Sequence, residues 1–140
     1  MSVALGFDYG QARIGLAIGN RQTGLSRALS SLPRPRSEAD WSPIARQVEQ
    51  WEPSDLIVGE PLTLDGKSQP LTRAARRFAA ELAQRFSLPV HQVDERLSSA
   101  SAGTELREAR QRGEKSRRNR RGDDDSLAAA ILVQQWLDSA

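Results

Sequence analysis

Two helix-then-strand repeats in the middle of the chain restrict the fold more than any other feature. Trp41, Ile44, Ala45, Val48 and Trp51 recur at helical spacing, and the short apolar run Leu56–Gly59 follows them. Leu71, Ala74, Ala75, Phe78, Leu82 and Phe86 form a second helical face behind Pro70, a residue suited to a first turn. Val90–Val93 then follows as another short apolar run. A buried strand reached through a helix is the pattern of a parallel β/α unit. The residues before these units alternate differently. Val3–Phe7 reads as a buried strand, Gly10–Arg13 as a turn, Ile14–Ile18 as a returning strand and Gly24–Leu32 as a weaker third. The loop Pro33–Ser37 ends that meander. Ser98–Arg110 predicts a helix, and Leu127, Ala128, Ile131, Leu132 and Trp136 mark the face of a last one. The expected fold is α/β: one domain over residues 1–140, with a mixed five-stranded sheet. Three antiparallel N-terminal strands precede parallel β/α units, and helices cover both faces.

Parallel strands present ligands at their carboxyl ends, and acidic motifs occur there. Asp8 closes the first strand, with Gly10 behind it to admit a phosphate or cation close to the backbone. Asp94-Glu95-Arg96 closes the fifth, where alternation turns only one of the two acids toward a site. Asp123-Asp124-Asp125 opens the final Ala-rich helix. Each has a competing structural role: a turn former, a surface ion pair, a helix N-cap. Together they suit hard cations and metal-assisted phosphodiester chemistry.

Composition narrows that chemistry. The chain has no cysteine and a single histidine, His91, so thiolate and His-rich metal sites are excluded and an ion must rest on oxygen. Mg²⁺ or Mn²⁺, one or two ions, is the expectation. The net charge is only +2, but Arg107, Arg110, Arg112, Lys115, Arg117, Arg118, Arg120 and Arg121 crowd one stretch against Glu108 and Glu114. That concentration predicts a polyanionic partner, and Gly113–Gly122, with no apolar residue, reads as mobile. No apolar run approaches the ~20 residues that span a bilayer, and no leader pattern is present, so a cytoplasmic protein without membrane contact is expected. Gly66-Lys67-Ser68 imitates the end of a P-loop, but Pro61 occupies the place of its first glycine. His91 has no partner at ligand spacing, and Ser98 and Ser99 are better explained as helix caps than as nucleophiles.

Four segments, taken together, match a known pattern. Leu5-Gly6-Phe7-Asp8-Tyr9-Gly10 with Arg13-Ile14-Gly15 is the first, and Ile57-Val58-Gly59-Glu60-Pro61-Leu62 with Asp65-Gly66 the second. Val93-Asp94-Glu95-Arg96-Leu97-Ser98 and Asp125-Ser126-Leu127-Ala128-Ala129 complete it. In this order and spacing they resemble the YqgF (RuvX) family. The resemblance implies a ribonuclease-H-like fold related to Holliday-junction resolvases, and a nuclease that matures the 5′ end of pre-16S rRNA. It implies Asp8, Glu95 and Asp125 as the acidic triad that holds the metal. The chain departs from the family pattern at Glu60, which adds a negative charge to the active-site loop in place of an apolar residue. It departs again at the third acid, where Asp124 competes with Asp125, and Ser99 conservatively replaces a threonine.

The expected function is metal-dependent cleavage of structured RNA, pre-rRNA above all, by a monomer or weak dimer. Arg13 and Arg96 are candidates for phosphate contacts, and Arg117, Arg118, Arg120 and Arg121 for non-specific backbone binding. Two alternatives are a Holliday-junction resolvase acting on branched DNA, which requires a two-fold dimer, and a nucleic-acid-binding protein of this fold without nuclease activity. An ATP-binding enzyme of the actin class shares the Asp-x-Gly hairpin, but 140 residues cannot supply its two domains.

Overall fold

The computed structural model describes residues 2–96 and 121–139, with side chains in the last helix from Asp125 onward. Five strands, β1 (Val3–Tyr9), β2 (Arg13–Asn20), β3 (Leu25–Pro33), β4 (Asp55–Glu60) and β5 (Val90–Asp94), form one sheet in the order β3-β2-β1-β4-β5. β1, β2 and β3 pair antiparallel, whereas β1–β4 and β4–β5 pair parallel, as the two β/α units require. A 3-10 turn at Glu38–Trp41 leads into α1 (Ser42–Trp51), and α2 (Pro70–Phe86) joins β4 to β5. The last helix, α3, is Arg121–Ser139. The expected mixed α/β sheet is therefore present. The helix expected over residues 98–110 lies outside the described residues, as do residues 113–120 of the segment expected to be mobile over 113–122.

Strand alternation divides the sheet into two unlike faces. Leu5, Phe7, Tyr9, Ile14, Leu16, Ile18, Leu56 and Val58 project to one side, where the 3-10 turn, α1 and α2 bring Trp41, Ile44, Phe78 and Leu82 against them. Pro70 opens α2 at its first position, and the Gln69 backbone N–H donates to Thr72 Oγ1 at 3.0 Å. The other side of β1 and β2 carries Ala4, Gly6, Asp8, Gly15, Ala17 and Gly19. Here α3 packs through Ala129, Ala130 and Val133, with Ile57 from β4.

These small residues explain how closely α3 lies on the sheet. A Cβ on Gly6 would stand 2.2 Å from Val133 Cγ2, and one on Gly19 would stand 2.5 Å from Val133 Cγ1. Val133 fills the space that both glycines leave.

Three expectations are corrected. α3 begins at Arg121, so Arg121 and Gly122 are helical and Asp125 lies inside the helix instead of capping it. Its buried face is Ser126, Ala129, Ala130, Leu132 and Val133, and of the expected stripe only Leu132 is fully buried. A helix seated on glycine and alanine makes its central contact with small residues, and its bulky ones pack along the flanks. In α1, Ala45 is exposed, because Ile44 with half-buried Val48 and Trp51 suffices to anchor the helix.

Candidate active site

Asp8 is the next-to-last residue of β1, on the small-residue face at the carboxyl edge of the parallel strands. Its antiparallel partner across the sheet is Gly15. On the other flank, the parallel register pairs Phe7 with Val58, which sets Gly59 one step on, beside Asp8. Asp8 thus has a glycine on each side, and each gap is filled by another part of the site. A Cβ on Gly15 would fall 2.0 Å from the carbonyl oxygen of Asp125, so Gly15 lets the first turns of α3 descend onto β2. A Cβ on Gly59 would fall 2.3 Å from Glu95 Oε2, so Gly59 makes room for the Glu95 carboxyl above β4. A glycine inside a strand is the usual mark of such close approach.

The same alternation resolves the competition at the end of β5. His91 and Val93 face α3, where His91 packs on Trp136 and Val93 joins the α3 cluster. Glu95 continues that phase and reaches Asp8, with which it shares a hydrogen bond. Asp94 turns away and is held by Arg96, whose Nη2 lies 2.6 Å from Asp94 Oδ2. Arg96 also donates to the Leu64 carbonyl at 3.4 Å, and so braces the loop after β4. A phosphate would have to share this guanidinium with Asp94.

Arg13 lies on the same face as Gly15, two residues away along β2. Its Nε and Nη2 donate to Ser31 Oγ at 3.0 and 2.9 Å, which fixes the side chain beside the site. Ser31, absent from the sequence expectations, is therefore a positioning residue. No sequence signal marks it: Ser31 is out of phase with Ser26, Ala28 and Ser30, and a register shift between β2 and β3 brings it opposite Gly15. Glu60 does not leave a free charge in the loop, because Arg76 on α2 pairs with it at 2.7 Å. His91 does have a partner, Asp55 Oδ1 at 2.9 Å, at the opposite edge of the sheet. Arg117, Arg118 and Arg120 lie outside the described residues, as do the side chains of Arg121 and Asp124.

The electrostatics of the acidic group are those of crowded, half-buried carboxyls. Burial pushes Asp8 up to about 6; the Glu95 hydrogen bond opposes that rise and the Asp125 charge adds to it. Burial, the Asp8 charge and the Asp8 hydrogen bond together push Glu95 up to about 9. The pair shares a proton at neutral pH. Glu95 Oε2 is buried and has no hydrogen-bond partner, a costly state for a carboxyl oxygen.

Among the described residues no three His, Cys, Asp or Glu side chains close around a point that would hold a metal ion. The expected metal-sized cluster of three is thus an Asp8–Glu95 pair with Asp125 alongside. Like charges drawn together need a compensating cation, and a shared proton does this for only two of them. The donor set itself suits a hard cation, since every candidate atom is an oxygen and one of them is orphaned.

A family model described as "RuvX: Holliday junction resolvase" matches residues 2–139. A Legionella pneumophila protein named "Putative pre-16S rRNA nuclease" is 44% identical over 138 residues, covering 99% of this chain and 96% of the relative. The chain belongs to the RuvX family. A Xanthomonas campestris protein of the same name is 41% identical over 139 residues, covering 99% of this chain and 88% of its own length. Among solved structures, RuvC of T. thermophilus in complex with a Holliday junction superposes with a TM-score of 0.58 at 18% identity, covering 99% and 95% of the two chains. The fowlpox virus resolvase in its junction complex gives 0.62 at 11% identity, covering 98% and 97%. These structures share the ribonuclease-H-like fold with this RuvX chain. No helix among the described residues is long and apolar enough to cross a membrane.

Proposed function

We propose that this RuvX protein is a metal-dependent endonuclease that hydrolyses phosphodiester bonds in structured RNA, and that the 5′ end of pre-16S rRNA is its substrate. The observation that carries the reading is the Glu95 carboxyl: it is folded over Gly59 onto Asp8, and one of its oxygens is buried and unpartnered. Apart from the proton shared with Asp8, no donor among the described residues reaches that oxygen, and a cation would satisfy it. The name that these relatives carry supports the choice of RNA.

Asp8, Glu95 and Asp125 would hold one or two Mg²⁺ or Mn²⁺ ions. Such ions supply water activation and charge stabilisation on the scissile phosphate and the leaving oxygen. The protein's own part is geometric and electrostatic. Gly15 and Gly59 bring two distant segments to Asp8. The proton that Asp8 and Glu95 share relieves their repulsion, and a cation held by the same oxygens would take over that role. Arg13, pinned by Ser31, offers a fixed positive group at the edge where the strand would lie. Binding across the basic segment at 107–121 would be insensitive to base sequence. The protein would act in the cytoplasm as a monomer or weak dimer.

Incubation of purified protein with pre-rRNA leader RNA, with Mn²⁺ or with chelator, tests this function. Cleavage should require Mn²⁺ and should vanish in Asp8→Asn, whose thermal stability should equal or exceed that of the wild type because a repelling charge is lost. A four-way DNA junction runs alongside. Preferential cutting of the junction would replace RNA processing with junction resolution. Binding of both ligands without cutting either would leave a nucleic-acid-binding protein.

A further inference from the structure

A basic cleft lies at the same edge of the sheet as Asp8, on the opposite face. Behind Tyr9, the neighbour of Asp8, a cavity of about 240 Å³ opens between the end of β3 and α2, with Arg34, Arg77 and Glu81 around Tyr9, Trp41 and Phe78. The rings are buried and closed to a ligand. Tyr9 and Trp41 pack on Phe78, with centroids 4.8 and 5.4 Å away, and guanidiniums cover them, Arg34 over Tyr9 and Arg85 over Trp41. They make an apolar floor beneath a charged rim, and a floor of this kind focuses the field of the charges above it.

The pairing of charges along α2 leaves that rim positive. Glu81 stands four residues from both Arg77 and Arg85, and it pairs with Arg85 at 2.8 Å. Glu38 holds Arg85 as well, at 2.7 Å, and Glu60 takes Arg76 at 2.7 Å. Arg73 and Arg77, four residues apart on the exposed side of the helix, are left over. Among the described residues neither they nor Arg34 has an acidic partner. Like charges at this spacing weaken a helix, a cost that a bound anion removes. Arg34 is already fixed in place. Its backbone N–H donates to the Ala12 carbonyl and its Nη1 to the Gln11 carbonyl, both at 3.0 Å, which ties it to the β1–β2 turn that follows Asp8.

We infer that Arg34, Arg77 and Arg73 bind successive backbone phosphates of the RNA strand that flanks the scissile bond. Guanidinium forks match phosphate oxygens, and the three side chains follow one another from the β1–β2 turn onto α2. The strand leaves Asp8 over that turn, where Gly10, Gln11 and Ala12 carry no acid, and continues on the face opposite α3. Contacts of this kind fix the register and path of the strand without reading its bases. The inference rests on the RNA-nuclease reading and adds to it the path of the substrate.

The test is the salt dependence of affinity in chelator, which needs no turnover. Pre-rRNA leader RNA is titrated by fluorescence anisotropy into wild-type protein, Arg34→Gln, Arg77→Gln, the double variant and Arg27→Gln. Arg27 is an exposed arginine near the other end of β3, so its loss controls for charge alone. Each lost phosphate contact should lower the slope of log affinity against log salt by about 0.7–0.9. The double variant should lose twice as much, and Arg27→Gln should keep the wild-type slope. Arg77→Gln, at an exposed position away from the Tyr9 stack, decides the outcome if Arg34→Gln fails to fold. An unchanged slope in Arg77→Gln, or an equal drop in Arg27→Gln, overturns the phosphate track and leaves the nuclease reading intact. Failure of wild-type protein to bind the RNA even at low salt overturns both.

Discussion

The two faces of the sheet follow opposite packing rules. On the α1–α2 face, Leu5, Phe7, Ile14, Leu16 and Leu56 are fully buried and large, and they hold the fold through removed apolar area. On the α3 face the strands carry glycine and alanine, and little area is available. What that face gains is proximity, since Gly6 and Gly19 admit Val133, Gly15 admits the backbone at Asp125, and Gly59 admits Glu95. One face supplies stability. The other exchanges side-chain bulk for the close approach that brings three carboxyl groups to one edge, and it bears their mutual repulsion.

The contrast predicts that equally small changes act differently on the two faces. Phe7→Ala, which empties a fully buried site that meets Phe78 edge-on at 5.6 Å, should cost about 3–5 kcal/mol by denaturant unfolding. The fraction that remains folded should cleave RNA at the wild-type rate. Loss of activity in folded Phe7→Ala protein would break the division of labour. Gly15→Ala adds one methyl group against backbone that cannot swing aside. It should destabilise by about 1–3 kcal/mol and should also abolish cleavage, because α3 carries Asp125 away with it.

Gly59→Ala sharpens the comparison further. Its methyl group meets the end of a flexible side chain, so stability should change by less than about 1 kcal/mol while Glu95 is expelled from Asp8. Activity should fall roughly 10–100-fold, the usual cost of disturbing the support of a ligand. Equal losses of stability in Gly15→Ala and Gly59→Ala would show that the two glycines do not have the separate roles assigned to them.

A further effect is on pH dependence without metal. The folded state raises Asp8 from 3.8 to about 6 and Glu95 from 4.5 to about 9, so it binds these protons more tightly than the unfolded chain does. Their contribution to stability is complete below pH 4 and is lost as pH rises toward 9. Glu95→Gln should flatten the upper part of that decline in chelated buffer. A wild-type profile that rises between pH 5 and 9 would contradict the shared proton.

Much of this was legible in the sequence because period and spacing are local signals. The alternation of β1, the stripe of α2 and the strands after each helix gave the mixed five-stranded sheet, though not its strand order, and put Asp8 and Glu95 at strand carboxyl ends. The choice of Glu95 over Asp94 was legible only through the family resemblance; alternation left it open, since it depends on the phase that β5 inherits from His91 and Val93 packing under α3. The buried face of α3 was misjudged for a related reason. Hydrophobicity alone favours Leu127 and Ile131, while the partner surface is made of glycines that reward Ala129 and Ala130. The partners of Glu60 and Arg13 lie 16 and 18 residues away and appear only once the chain is folded.

The central claim is that the small-residue face assembles Asp8, Glu95 and Asp125 to hold a hard cation. Crystals grown or soaked with Mn²⁺ and measured for anomalous scattering test it most directly. The account predicts a peak about 2.1 Å from carboxylate oxygens of Asp8 and Glu95, with Asp125 drawn in, and its loss in Asp8→Asn. A peak elsewhere on the molecule, or none at saturating Mn²⁺ with Glu95 still hydrogen-bonded to Asp8, would contradict it.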